Sequence, residues 1–465
     1  MSTTFRVKYQ TMISIILTLA DRESNNGRVL SQPSTIGSIP LRSFAVLLTL
    51  LTLLLLSGAC TQAPDTPTPS QTATATLIPT SISATQTPTP TFTSGQATPS
   101  ALAPIFGQIL TRVAEIRALA PLRTISPRFM TREQLESTLI EDLDEKRDDI
   151  LNFQDVLKIM GMIAQDADLY QLLLSLYTEQ VGGFYNTETE ELYVIQGIDE
   201  LTPSAELTLA HEYTHALQQQ HFDIHAMSKA VEEDSEAESA LGALIEGDAT
   251  TVQIEYMFTY LTPQERQELV NGDGDSPIFD TSPYVLRQSL LFPYTQGSSL
   301  VNTLLITGLW QAISNAYRDP PVSTEQVMHP EKYLGGEVPV AVSLPDVATD
   351  LGQGWEVVYD DVMGEFFLRT YLETLPRNEL ATRAAAGWGG DRFNLVAGPQ
   401  GEQALVVLLV WDSETDAREF FDALDSSSSV EDEGFLGIKE DRVLWIMSAD
   451  RATINEILSL FPNFQ

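Results

Sequence analysis

Thr202–Phe222 reads TPSAELTLAHEYTHALQQQHF, and the rest of the chain is best understood outward from it. Thr202 is an N-cap residue with Pro203 at the first helical position, and neither Gly nor Pro interrupts Ser204 to His221, so one unbroken helix is expected. Residues four apart share a helix face. His211 and His215 therefore present two imidazoles to one point, and Glu212 leans toward the same place. Two neutral imidazoles suit Zn2+, a catalytic zinc keeps one position open for water, and a neighbouring carboxylate can take that water's proton. Histidine is scarce, with only five in 465 residues, which makes this spacing informative.

Such a centre needs a third protein ligand. His221 falls on the third-histidine position of the HExxHxxGxxH pattern of metzincins, but that geometry requires a helix break where this chain has Gln218. In a continuing helix His221 would sit roughly 240° round from His215, pointing away from the metal. Glu246 is the stronger candidate. It lies among Leu244, Ile245 and Ala249 in a helical stretch from about Ser235 to Tyr260, where an unpaired carboxylate would be costly. Glu238 and Asp248 are weaker alternatives, and Asp248 could instead support a ligating histidine. An HExxH helix, a loop, and a second helix carrying Glu-Gly-x-Ala resemble the gluzincins.

The N-terminal part has a different composition. Phe44 to Leu56 is uncharged and apolar, too short for a confident spanning helix, and fits the apolar core of an export signal. Cys60, the only cysteine, follows Ser57-Gly58-Ala59 in a stretch resembling a bacterial lipobox, with Leu56 one place earlier than usual. Residues 1–60 are therefore expected to anchor the chain by a lipid on Cys60 or by the apolar segment itself. Residues 61–103, rich in Thr, Pro and Ser, read as a disordered spacer. The remainder would then stand on the extracytoplasmic face of a cell membrane. The formal net charge of −38 excludes nucleic acid as a partner.

Beyond the spacer, a metallopeptidase domain is expected over 104–340 and an accessory α+β region over 341–465. Helices are expected at Ile105–Ala120, after the capping box Thr131–Gln134, at Phe153–Ala164 and at Leu169–Gln180. Gly183–Asn186 and Leu192–Ile195 flank a polar turn and read as a hairpin, a candidate edge strand beside the HExxH helix. A long loop is expected at 271–283 and a helix at Ser298–Tyr317. His329 is the first choice for a catalytic hydrogen-bond donor opposite the metal, with Tyr294 second. In the C-terminal region Arg392–Ala397 and Ala404–Trp411 read as a hairpin, and Ala384–Arg392 as a tight turn.

The combination GFYN, HEYTHALQ, EGDA and STEQVMHPEKY is similar to exported bacterial gluzincin-like proteins of lipoprotein type. The resemblance implies an α+β fold with a mostly helical zincin-like core. It also implies a zinc metallopeptidase acting on a peptide or protein substrate, with His211, His215 and Glu246 on the metal and Glu212 as general base. A non-catalytic surface module binding a protein or cell-wall partner is the competing expectation.

Overall fold

The structure is a computed structural model and describes residues 96–97, 103–195, 201–271, 276–426 and 434–464. The apolar run, Cys60 and nearly all of the spacer lie outside the described residues. Within them the fold is mixed α+β, mostly helical, with two small sheets. No helix among the described residues is long and apolar enough to cross a membrane.

The first sheet has the order β1-β2-β4-β3, formed by Gln96–Ala97, Arg128–Met130, Glu191–Ile195 and Gly183–Asn186 respectively. β2 runs parallel to β4, and the other pairs are antiparallel. β1 corrects the reading of the whole spacer as unstructured, because Gln96 and Ala97 pair with Phe129 and Arg128. Helix α1 (Ala103–Arg117) ends earlier than expected. Its terminator is not Pro121 but Ala118, which takes a left-handed φ of 58°. α2 (Arg132–Glu145) begins at the expected capping box, with the Gln134 N–H donating to Thr131 Oγ1 and the Thr131 N–H to Gln134 Oε1. α3 (Arg147–Ile159) and α4 (Leu169–Gln180) follow.

The central pair is α5 (Pro203–Phe222) and, after α6 (Ile224–Val231), the long α7 (Ser235–Tyr260). α5 is buried on nearly every side from Ala205 to Gln218. Leu207, Ala210 and Leu217 pack with Phe106, Ile109 and Val113 of α1 and with Leu192 and Val194 of β4. Each leucine buried this way contributes roughly 1.5–3 kcal/mol relative to an exposed one. α8 (Pro263–Asn271), α9 (Pro277–Thr281) and α10 (Tyr284–Ala316) come next, then the short α11 (Thr324–Met328) and α12 (Pro330–Gly335). α9 interrupts the expected long loop, and α10 starts fourteen residues before the predicted helix because Pro293 lies inside it. Its kink falls instead at Gly308 and Leu309, where the backbone leaves helical geometry.

The second sheet, order β5-β6-β7-β9-β8, is antiparallel throughout: β5 Glu356–Asp361, β6 Trp388–Ala397, β7 Gln403–Trp411, β8 Gly434–Lys439 and β9 Arg442–Met447. Helices α13 (Val347–Leu351), α14 (Gly364–Glu373), α15 (Ala381–Ala385), α16 (Glu414–Asp425) and α17 (Arg451–Ser459) accompany it. Strand β7, QALVVLLVW, is a nearly continuous apolar run because both of its faces are covered. Leu405, Val407 and Leu409 face one core, while Val406 and Leu408 face another with Ile454 and Ile457. The expected tight turn at Ala384–Arg392 is instead the end of α15 and the bulged start of β6. The first of these cores also contains Val156, Leu157, Leu176 and Leu286, so the C-terminal sheet shares its interior with α3, α4 and α10.

Acidic groups cluster where the sheet meets the start of α7. Glu236 accepts from the Thr324 N–H (2.8 Å), Asp391 accepts from the Met363 and Gly364 N–H groups (2.9 Å each), and Ser235 Oγ donates to Asp361 (2.9 Å). Burial raises Glu236 well above its ordinary value, Glu238 to about 7 against the pull of Lys146, Asp391 to about 6, and Glu325 to about 7 against Lys332. The folded chain thus keeps protons that the unfolded chain releases near pH 4, and the corresponding stability is lost as pH rises through 6 to 7. The thermal midpoint is therefore expected to be higher at pH 6 than at pH 8. A midpoint that rises between those values contradicts this.

Candidate metal centre

α5 and α7 pack so that His211, His215 and Glu246 converge, their ligand atoms all within 4.8 Å of one another. His211 Nε2 lies 3.0 Å and His215 Nε2 3.5 Å from Glu246 Oε2, with the two rings nearly perpendicular at 4.8 Å between centroids. Exposure is 2% for His211, 3% for His215, 1% for Glu246 and zero for Glu212. Burial pushes the Glu246 carboxyl up, but His215 and His211 outweigh it and hold the group below the usual carboxylate range. Burial raises Glu212 to about 8, although His215 pulls the other way.

The donor set fits a zinc ion: two imidazole nitrogens and one carboxylate, with no fourth protein group among the described residues. His215 Nε2 and both Glu212 oxygens are buried without a hydrogen-bond partner. An orphaned buried polar atom costs about 1–3 kcal/mol, so a dry core keeps several together only where they have another use.

Helix packing sets the position of Glu246. Its neighbour Gly247 lies against Gly297 of α10, and a Cβ on Gly247 would come within 2.2 Å of the Gly297 carbonyl carbon. A Cβ on Gly297 would come within 2.0 Å of the Ala243 carbonyl oxygen. The two glycines permit a backbone-to-backbone crossing that fixes the depth and rotation of α7. On the other side Gln253 Nε2 donates to the Leu207 carbonyl (3.2 Å), which keys α7 to α5 one turn below His211. β3 abuts α5 through Gly183, where a Cβ would lie 2.7 Å from Thr208 Cγ2 and 3.5 Å from Glu212 Cγ.

His221 does not join the cluster. α5 continues to Phe222, and His221 Nε2 instead lies 2.8 Å from the Ala120 carbonyl. His329 is not brought there either, which corrects its choice as a catalytic donor. Its Nε2 pairs with buried Glu365 at 2.9 Å, and this contact raises its pKa. α11, which leads into His329, meets α7 near Glu236, ten residues or about 15 Å along the helix from Glu246. Glu238 belongs to that same distant end. Tyr294, the second choice, does come close, with its ring 6.2 Å from that of His211. Asp248 reaches His215 only through Gln218, whose Oε1 accepts from His215 Nδ1 (2.8 Å) while its Nε2 donates to Asp248 (3.1 Å). Sequence reading passed over Gln218, Arg117 and Tyr317. For Gln218 the signal was available, since residues 211, 215 and 218 share one helix face.

Residues 355–453 match a family model described as a domain of unknown function, DUF8575, which spans the second sheet and helices α14 to α16. No curated protein and no solved structure matches the chain.

The glycine crossing yields a direct expectation. Gly297→Ala should force α10 away from α7, destabilising the fold by about 1–3 kcal/mol or more, as overpacking of a tight contact does. Denaturant unfolding measures it, and an unchanged midpoint would mean that the crossing is looser than described.

Proposed function

We propose that the chain is a membrane-tethered, extracytoplasmic zinc metallopeptidase of gluzincin-like type with a zincin-like core. The observation that carries this reading is the convergence of His211, His215 and Glu246 with the unpartnered Glu212 carboxyl beside them. When bound, zinc supplies Lewis acidity, polarising a carbonyl and letting a water ionise near neutral pH. His211, His215 and Glu246 hold the ion. Glu212, with its proton affinity raised by burial, takes a proton from water and returns it to the leaving amine. Tyr294, whose ring lies 6.2 Å from that of His211, would be the donor to a developing oxyanion.

β3 supports the same reading. It ends the first sheet and lies against α5, where an extended peptide would pair with it as a further strand. The tether rests on the apolar run Phe44–Leu56 and on Cys60, as a lipid or apolar anchor.

The near-complete enclosure of the cluster favours a second reading, in which the zinc site is structural and the chain is a surface module that binds a protein or cell-wall partner. Turnover separates the two. Wild type should cleave casein or a labelled peptide mixture. Glu212→Gln should retain zinc and lose at least about 100-fold in rate, the scale of a general-base contribution. Equal turnover by the two proteins would overturn the peptidase reading.

A further inference from the structure

Gln218 occupies the place at which a metzincin helix would break, and it makes three contacts at the centre of the molecule. Its Nε2 donates to the Ile245 carbonyl (3.0 Å) and to Asp248 Oδ2 (3.1 Å), while its Oε1 faces His215 Nδ1 at 2.8 Å. Asp248 is fully buried. It accepts from Arg117 Nε at 2.7 Å and from the Tyr317 hydroxyl at 2.9 Å. Arg117, on α1, is itself completely buried.

The chemistry of these groups leaves one arrangement. Asp248 accepts from Arg117 Nε, a group that can only donate, and from the Tyr317 hydroxyl. The Ile245 carbonyl only accepts. Both protons of the Gln218 amide are therefore committed, and the oxygen must be the atom facing His215. That oxygen can only accept, so His215 carries a proton on Nδ1, and Nε2, 3.5 Å from Glu246 Oε2, is the nitrogen left to take the ion. We propose that Gln218 is a positioning residue that fixes the tautomer of His215 and, through the Ile245 carbonyl, the backbone beside Glu246, with its own orientation imposed by the Arg117–Asp248–Tyr317 group. This inference rests on the metal-site reading above and deepens it. It also couples the centre to α1, the helix that follows the spacer, through four buried side chains.

The test is zinc competition against a chromogenic chelator, using the full chain in mild detergent. Compared proteins are wild type, Gln218→Met, which keeps the shape without the hydrogen bonds, and Tyr317→Phe, which removes one support of Asp248. Gln218→Met should bind zinc about 10- to 100-fold more weakly, the scale for groups that orient a metal ligand, with Tyr317→Phe weakened less. In the zinc-loaded, 15N-histidine-labelled protein, the slowly exchanging Nδ1 proton of His215 should be present in wild type and lost in Gln218→Met, while the His211 signals stay put. A purely structural role would leave that signature and the affinity unmoved. If Gln218→Met fails to fold, the graded loss in Tyr317→Phe stands in its place. Wild type that binds zinc alongside variants of equal affinity and an unaltered His215 signal overturns the inference alone. Wild type that binds no zinc overturns the metal reading and this inference with it.

Discussion

The structure depends on the contact between α5 and α7, where two imidazoles and a carboxylate from sequence-distant helices are held together out of water. Charged and polar groups are costly in such a place unless they are mutually satisfied or bound to an ion. The surrounding features all serve that contact. Gly247 and Gly297 bring α10 onto the back of α7, Gln253 keys α7 to α5, and Gly183 lets β3 approach the turn of helix that carries Glu212. Arg117 and Tyr317 close the far side around Asp248.

Much of this centre was legible in the sequence because its signals are local. Thr202-Pro203 and the unbroken run to His221 define α5, and a helix of known pitch fixes which side chains share a face. That reasoning places His211, His215 and Glu212 together and turns His221 away. Glu246 was legible for a different reason, as a carboxylate embedded among Leu244, Ile245 and Ala249. The capping box at Thr131 marks its helix start well, because both halves of the motif lie within four residues.

What the sequence concealed depends on long-range packing. His329 reads as the only histidine outside the 211–225 region, and nothing local reveals that Glu365 takes it up at the other end of α7. The early turns of α10 were hidden by Pro293, which the helix absorbs without breaking. Gln218 looks like one of three consecutive glutamines; the helix face it shares with His211 and His215 is legible, but its partners Ile245 and Asp248 arrive from α7. The Trp388-Gly389-Gly390 segment reads as a turn, but a neighbouring strand and the Val340 backbone, which donates to the Gly389 carbonyl at 2.7 Å, draw it into β6. The C-terminal sheet, part of the DUF8575 match, shares its core with α3, α4 and α10 and so braces the helical body that carries the His211–His215–Glu246 cluster.

The most direct measurement is zinc content per chain in the wild-type protein and in Glu246→Ala and His221→Ala. The account predicts about one zinc in wild type, retained in His221→Ala and lost or greatly weakened in Glu246→Ala. Zinc retained in Glu246→Ala but lost in His221→Ala, or no zinc in any of the three, would contradict it.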